Sequence, residues 1–195
     1  MTETIIVTSA EDRMRAHKIP FTRLDVQSIV GAVLLGTAAT ALLQIAERID
    51  TALFGGMVVP FGILCLSTAG LIAAFLYGPV AAIIAVEINP FISTMTATGP
   101  LSWFWFINNF LYVFPAGWMM TRLQPMDKWW KWSLASIIGA LPAFITLIPI
   151  QLYVWSIPLT TTLLICAVHV VWEAIGPPTA AYYISKAVLK SGIAK

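Results

Sequence analysis

A small set of polar and aromatic residues interrupts sequence that is otherwise aliphatic: Glu87 and Asn89, then Trp103, Trp105, Asn108 and Asn109, then Gln151 and Tyr153, then His169, Trp172 and Glu173. An ionisable group inside hydrocarbon is costly, and it usually marks a substrate path, a relay or a ligand contact. No Lys or Arg lies within the apolar runs to neutralise Glu87 or Glu173. Each must therefore carry a proton or meet a cationic or donor-bearing ligand. The tryptophans add flat faces for stacking and cation–π contact. These eleven residues form a candidate substrate-binding set, with Glu87 as the expected main anchor. Asn108 and Asn109 point about 100° apart on a helix, so one is expected to face a cavity while the other bonds a neighbouring helix.

The chemistry these residues support is binding, not turnover. The chain contains no GxSxG, no P-loop and no HExxH, and nothing else with catalytic spacing. Cys166 and His169 are three apart, but two ligands without a third do not make a metal site. No cofactor or metal is implied. Only Glu87, His169 and Glu173 could do proton chemistry, which makes a membrane enzyme the most distant reading. Without a nucleotide-binding motif the chain cannot energise transport itself.

The elements that position these groups follow from composition. The chain has 195 residues, of which 59% are hydrophobic and 10% charged, against about 25% charged in soluble domains. That marks an all-α integral membrane protein of the cell membrane. Solid apolar runs exclude the alternation of a β-barrel. A net charge of +2 with scattered Lys and Arg gives no footprint for nucleic acid. Cys65 and Cys166 sit inside apolar runs as small hydrophobes. Six spans are expected, at about residues 29–46, 58–77, 80–96, 101–120, 133–153 and 158–184, the fifth kinked by Pro142 and Pro149 and the sixth by Pro177. Residues 1–27 form a polar arm without the apolar core of a signal peptide, and 28–195 form one substrate-binding bundle. Arg13 to Arg23, Arg122 to Lys131 and Lys186 to Lys195 fall on one side, so both termini are expected in the cytoplasm. Trp129, Trp130, Trp132 and Trp155 read as interface belt. With that topology the polar groups converge in the outer half of the bundle.

Ala32, Gly36 and Thr40 stack on one face of the first span, where small side chains let another helix approach closely. On spacing alone that helix can belong to a partner or to the chain's own bundle. Gly55-Gly56 lies in a loop at 51–57, and Gly78-Pro79 makes a tight turn between the second and third spans. With AAFLYGPVAAIIAVEI around that turn and the Ala32/Gly36 pair, the chain resembles a substrate-binding S component of an energy-coupling factor (ECF) vitamin transporter. The resemblance covers nearly everything from Phe21 onward. It implies capture of a vitamin or related micronutrient outside the cell, with 51–57 as a lid. It also implies partners: a transmembrane scaffold subunit docked on Ala32, Gly36 and Thr40, and two cytoplasmic ATPase subunits. Acidic groups with several tryptophans favour a cationic or donor-rich heterocycle, thiamine or its pyrimidine precursor first. The alternative is a non-catalytic structural or assembly subunit of a larger membrane complex, in which Glu87 and Glu173 pair with a partner chain and the cavity is filled.

Overall fold

A computed structural model of the chain describes residues 9–55, 58–95 and 102–191; of these, the side chains of Ser93, Thr94, Ser102 and Trp103 lie outside the description. The described residues hold seven α-helices and no strand: α1 (Ala10–Ala16), α2 (Val26–Phe54), α3 (Pro60–Tyr77), α4 (Pro79–Met95), α5 (Ser102–Arg122), α6 (Trp129–Pro149) and α7 (Leu159–Ser191). A π-helical turn, Ile150–Val154, continues α6. Local chemistry sets these ends. The Asp25 carboxylate accepts the Ser28 N–H at 2.8 Å and starts α2. Hydrogen bonds from Arg23 and Ser28 hold that carboxyl down at about 2. Pro60 opens α3, where its missing N–H leaves no bond unmade. Gly78, at φ 97°, then allows the chain to turn directly into α4.

Four elements are long and apolar enough to cross a membrane: α2, α3, α6 with its π-turn, and α7. Helix α4 is apolar over a shorter stretch, Pro79–Ile92. Successive helices run antiparallel. The start of α2 meets the end of α3 where Tyr77 lies against Gly31, and the reverse end closes where Leu43 and Asp50 meet Gly62. Helix α3 sits at the centre, touching α2, α4, α5 and α7.

The small-residue face of α2 is used inside the bundle. Ala32, Gly36 and Thr40 are all buried. A Cβ added at Gly36 would stand 2.2 Å from the Ala85 carbonyl oxygen of α4. This corrects the expectation that the stripe docks a scaffold subunit: α4 already occupies it, because only glycine allows the backbones so close. The face of α2 turned away from the bundle carries exposed Leu34, Leu42, Ile45 and Leu53 instead.

The arm also differs from expectation. It is not merely polar: α1 and the chain after it fold back across one end of the bundle. Met14 is fully buried in the same cluster as Phe75, Met120, Met126 and Trp132. The His17 Nε2–H donates to the Phe75 carbonyl at 2.8 Å. Ile19 and Gln124 bond reciprocally, at 3.0 and 3.3 Å. Arg13 caps α7 at the Leu189 carbonyl, while ion pairs join Arg15 to Asp127 and Lys186 to Glu11, each at 3.1 Å. The expected loop at 51–57 is shorter, since α2 continues to Phe54 and ends at Gly55, φ 65°; Gly56 and Met57 lie outside the described residues. Helix α7 runs through Pro177 and Pro178 to Ser191, beyond the expected end at 184.

Candidate functional site

At the end of the bundle away from the arm, the helices part around a cavity of about 430 Å³, within the range usual for small-molecule sites. Its floor is a polar cluster. The Glu173 carboxylate of α7 accepts from Ser67 of α3 at 2.6 Å through Oε1, and from Ser136 of α6 at 3.2 Å through Oε2. The Tyr112 hydroxyl of α5 lies 2.9 Å from the Ser136 hydroxyl. Since Ser136 spends its proton on Glu173, Tyr112 donates to Ser136, and both carboxylate oxygens are satisfied. Beneath this floor the packing is apolar and aromatic, with Phe75, Trp132 and Tyr182 in edge or tilted ring contacts.

The lining comes from six helices, α2 to α7, and the π-turn. Asn108 donates to the Ala143 carbonyl at 2.8 Å and Asn109 to the Val86 carbonyl at 3.2 Å. Both asparagines line the cavity, and each also staples α5 to a neighbour, so the expected division of labour between them does not hold. The Phe144 ring stacks on the His169 imidazole with centroids 5.4 Å apart. His169 Nε2 accepts the Val59 N–H at 3.2 Å, which fixes its remaining proton on Nδ1. Asn89 and Gln151 complete the buried wall, and Trp105 joins from α5. Exposed Gln44 and Glu47 of α2, with Trp155, form the mouth.

The π-turn explains how Gln151 reaches the site. Pro149 has no N–H to give, and the chain next closes a wider ring, with the Trp155 N–H on the Ile150 carbonyl at 3.1 Å. Gln151 is turned inward, 2% exposed, while Tyr153 is turned out, 83% exposed.

Seven of the eleven residues expected from sequence thus line one cavity: Asn89, Trp105, Asn108, Asn109, Gln151, His169 and Glu173. Tyr153 does not, for the reason just given. Trp172 does not either: its indole N–H donates to the Pro60 carbonyl at 2.7 Å and ties α7 to the start of α3. The Trp103 side chain lies outside the described residues. Glu87 also falls outside the lining, which corrects its expected role as anchor. Two positions from Asn89 on α4, it points about 160° away around the helix, and its Oε2 is buried without a partner among the described residues. The Cys166 thiol lies 4.0 Å from the Phe144 carbonyl. Sequence reasoning missed Ser67, Tyr112, Ser136 and Phe144, whose types are common in any span, and assigned Trp155 to the interface alone. Gln44 and Glu47, three apart at the end of α2, were the legible signal passed over.

Charge divides the molecule the same way. Among the described Lys and Arg, only Arg48 lies at the cavity end. Arg13, Arg15, Lys18, Arg23, Arg122, Lys128, Lys131, Lys186 and Lys190 all lie at the arm end. Comparison with protein-family models, with curated protein sequences and with solved structures finds no match to this chain.

Proposed function

We propose that the protein is a multi-pass membrane component that captures a small organic solute from outside the cell, acting as the substrate-binding S component of an ECF-type importer. In this reading α2 to α7 all span, because α4 and α5 are packed antiparallel between helices long enough to cross. The basic end is cytoplasmic by the positive-inside rule, so both termini lie inside and the cavity opens outward. The observation that carries the reading is the cavity itself: polar and aromatic side chains from α3 to α7, with Gln44 and Glu47 of α2 at the mouth, converge in one half of the bundle, and the other half is closed. A chain that only held a complex together would have no reason to keep that space open, and Glu173 would look for its partner elsewhere, not in Ser67 and Ser136.

Capture without a nucleotide site requires energy from other chains, a transmembrane scaffold and two ATPase subunits in the resemblance drawn above. The docking surface for them is not the Ala32/Gly36/Thr40 stripe. The test is to purify the chain in mild detergent, denature it and identify released small molecules by mass spectrometry. Near-stoichiometric release of one class of organic solute is expected. Release of lipid and detergent alone would contradict capture.

A further inference from the structure

Three cavity-lining residues keep polar groups that nothing among the described residues satisfies. Asn89 is 8% exposed, Gln151 2% and His169 3%. Asn89 Oδ1, Gln151 Oε1 and His169 Nδ1 are each buried without a hydrogen-bond partner among the described residues. Among the described residues the amide nitrogens of Asn89 and Gln151 meet no partner either, in contrast to Asn108 and Asn109, whose amides are engaged with backbone carbonyls. A buried polar group left unmade costs stability. Three of them around one space point to a ligand that completes them.

We infer, resting on the capture reading above, that the cavity takes an uncharged, planar ring compound bearing a hydrogen-bond donor and acceptor side by side, as in an amide, ureide or amino-azine edge. A free primary carboxamide presents a donor and an acceptor in one plane, the geometry with which Asn and Gln grip the donor–acceptor edge of adenine. His169 adds one N–H donor, because Val59 has already taken Nε2. The charge balance argues against an anion, and the hydrogen bonding of the lining favours a neutral ligand over a cation. No Lys or Arg lines the cavity to meet an anion. The buried carboxylate, Glu173, already accepts one serine hydroxyl at each oxygen, which supports it without a cation, and Glu87 lies outside the lining. Glu47 remains, exposed at the mouth, where water screens it. The Phe144 ring and Trp105 offer the flat apolar walls that a planar ring needs. This replaces the cationic heterocycle expected from the count of acidic residues.

The test uses the full chain in detergent and two matched pairs of probes: nicotinamide with 1-methylnicotinamide, and 4-aminopyrimidine with its ring-N-methyl cation. Titration should show a neutral member binding at least about tenfold more tightly than its cation. Asn89→Leu and Gln151→Leu should each weaken that binding by about tenfold or more. Their unfolding temperatures without probe should stay level or rise, because neither side chain has a partner to lose. Tighter binding of the cations, unchanged binding by both variants, or a sharp loss of stability in both would overturn the inference. Release of a charged molecule from the purified chain would also overturn it, while leaving capture standing. If no molecule is released and neither pair binds, both fall.

Discussion

The two ends of this bundle are made from the same helices and solve opposite problems. At the cavity end, polar side chains face a space and several stay unsatisfied; at the arm end, most polar groups of the arm are tied down, although the Ser28 and Ser185 hydroxyls are buried without a partner among the described residues. Met14 fills the gap among Phe75, Met120, Met126 and Trp132, and backbone carbonyls of Phe75, Ile19 and Leu189 all receive donors. Lys131 bonds both the Pro125 carbonyl and Asp127, and Asp127 also pairs with Arg15. Although burial opposes it, these hydrogen bonds hold the Asp127 carboxyl below its ordinary range. The difference teaches where stability and function have been separated. One end is packed to stay shut, and the other accepts unmade hydrogen bonds, which persist when a ligand makes them good.

Three perturbations test that division, taken from the largest expected effect down. Gly36→Leu forces a side chain into the Ala85 carbonyl where even a Cβ does not fit. It should destabilise the isolated chain by more than about 3 kcal/mol, seen as loss of a monodisperse peak in detergent. A well-folded variant that fails only to assemble with other chains would return the stripe to the role of a docking face. Met14→Ala removes the peg of the arm, fully buried as it is, and should cost about 2–5 kcal/mol. Trypsin should then cut sooner after Arg15 and Lys18, with solute binding in the far half unchanged. Unaltered cleavage would mean the arm contributes no closure.

The smallest effect is a pH dependence. Burial pushes the His17 imidazole below its ordinary value of 6.5, against the pull of the Phe75 carbonyl. A depressed histidine is neutral when docked and takes a proton more readily when released. The unfolded or undocked arm therefore binds more protons below about pH 6.5, and docking weakens as pH falls through that value. Hydrogen exchange of residues 10–20 should speed up between pH 7.5 and 5.5 beyond the intrinsic change. His17→Gln should remove that excess.

Position along the bundle was legible in the sequence; direction around each helix was not. The apolar runs and the turn at Gly78 located the helices, and the antiparallel order then put Asn89, Trp105, Asn108, Gln151, His169 and Glu173 in one half. In a soluble helix, periodicity would say which face is buried. In a membrane helix the lipid face is as apolar as the core, so that signal is lost. Glu87 fails for this reason: its level along the bundle follows from its place in α4, while its side of α4 depends on where α2 and α5 pack. The same blindness hid which helix covers the Ala32/Gly36/Thr40 face. The arm escaped notice because a single apolar residue, Met14, carries its burial in a seven-residue helix otherwise rich in charge. Gln151 owes its direction to the π-turn after Pro149, a change of register that proline in a sequence does not specify.

The central claim is that the cavity opens to the outside and the arm end is closed inside, and cysteine accessibility tests it most directly. In a chain with Cys65 and Cys166 replaced by alanine, single cysteines are placed at Glu47, in the mouth, and at Lys128, at the start of α6. Intact cells are then treated with a membrane-impermeant maleimide. The account predicts labelling of Glu47→Cys and protection of Lys128→Cys until the membrane is opened. Labelling of Lys128→Cys in intact cells, with Glu47→Cys protected, would contradict it.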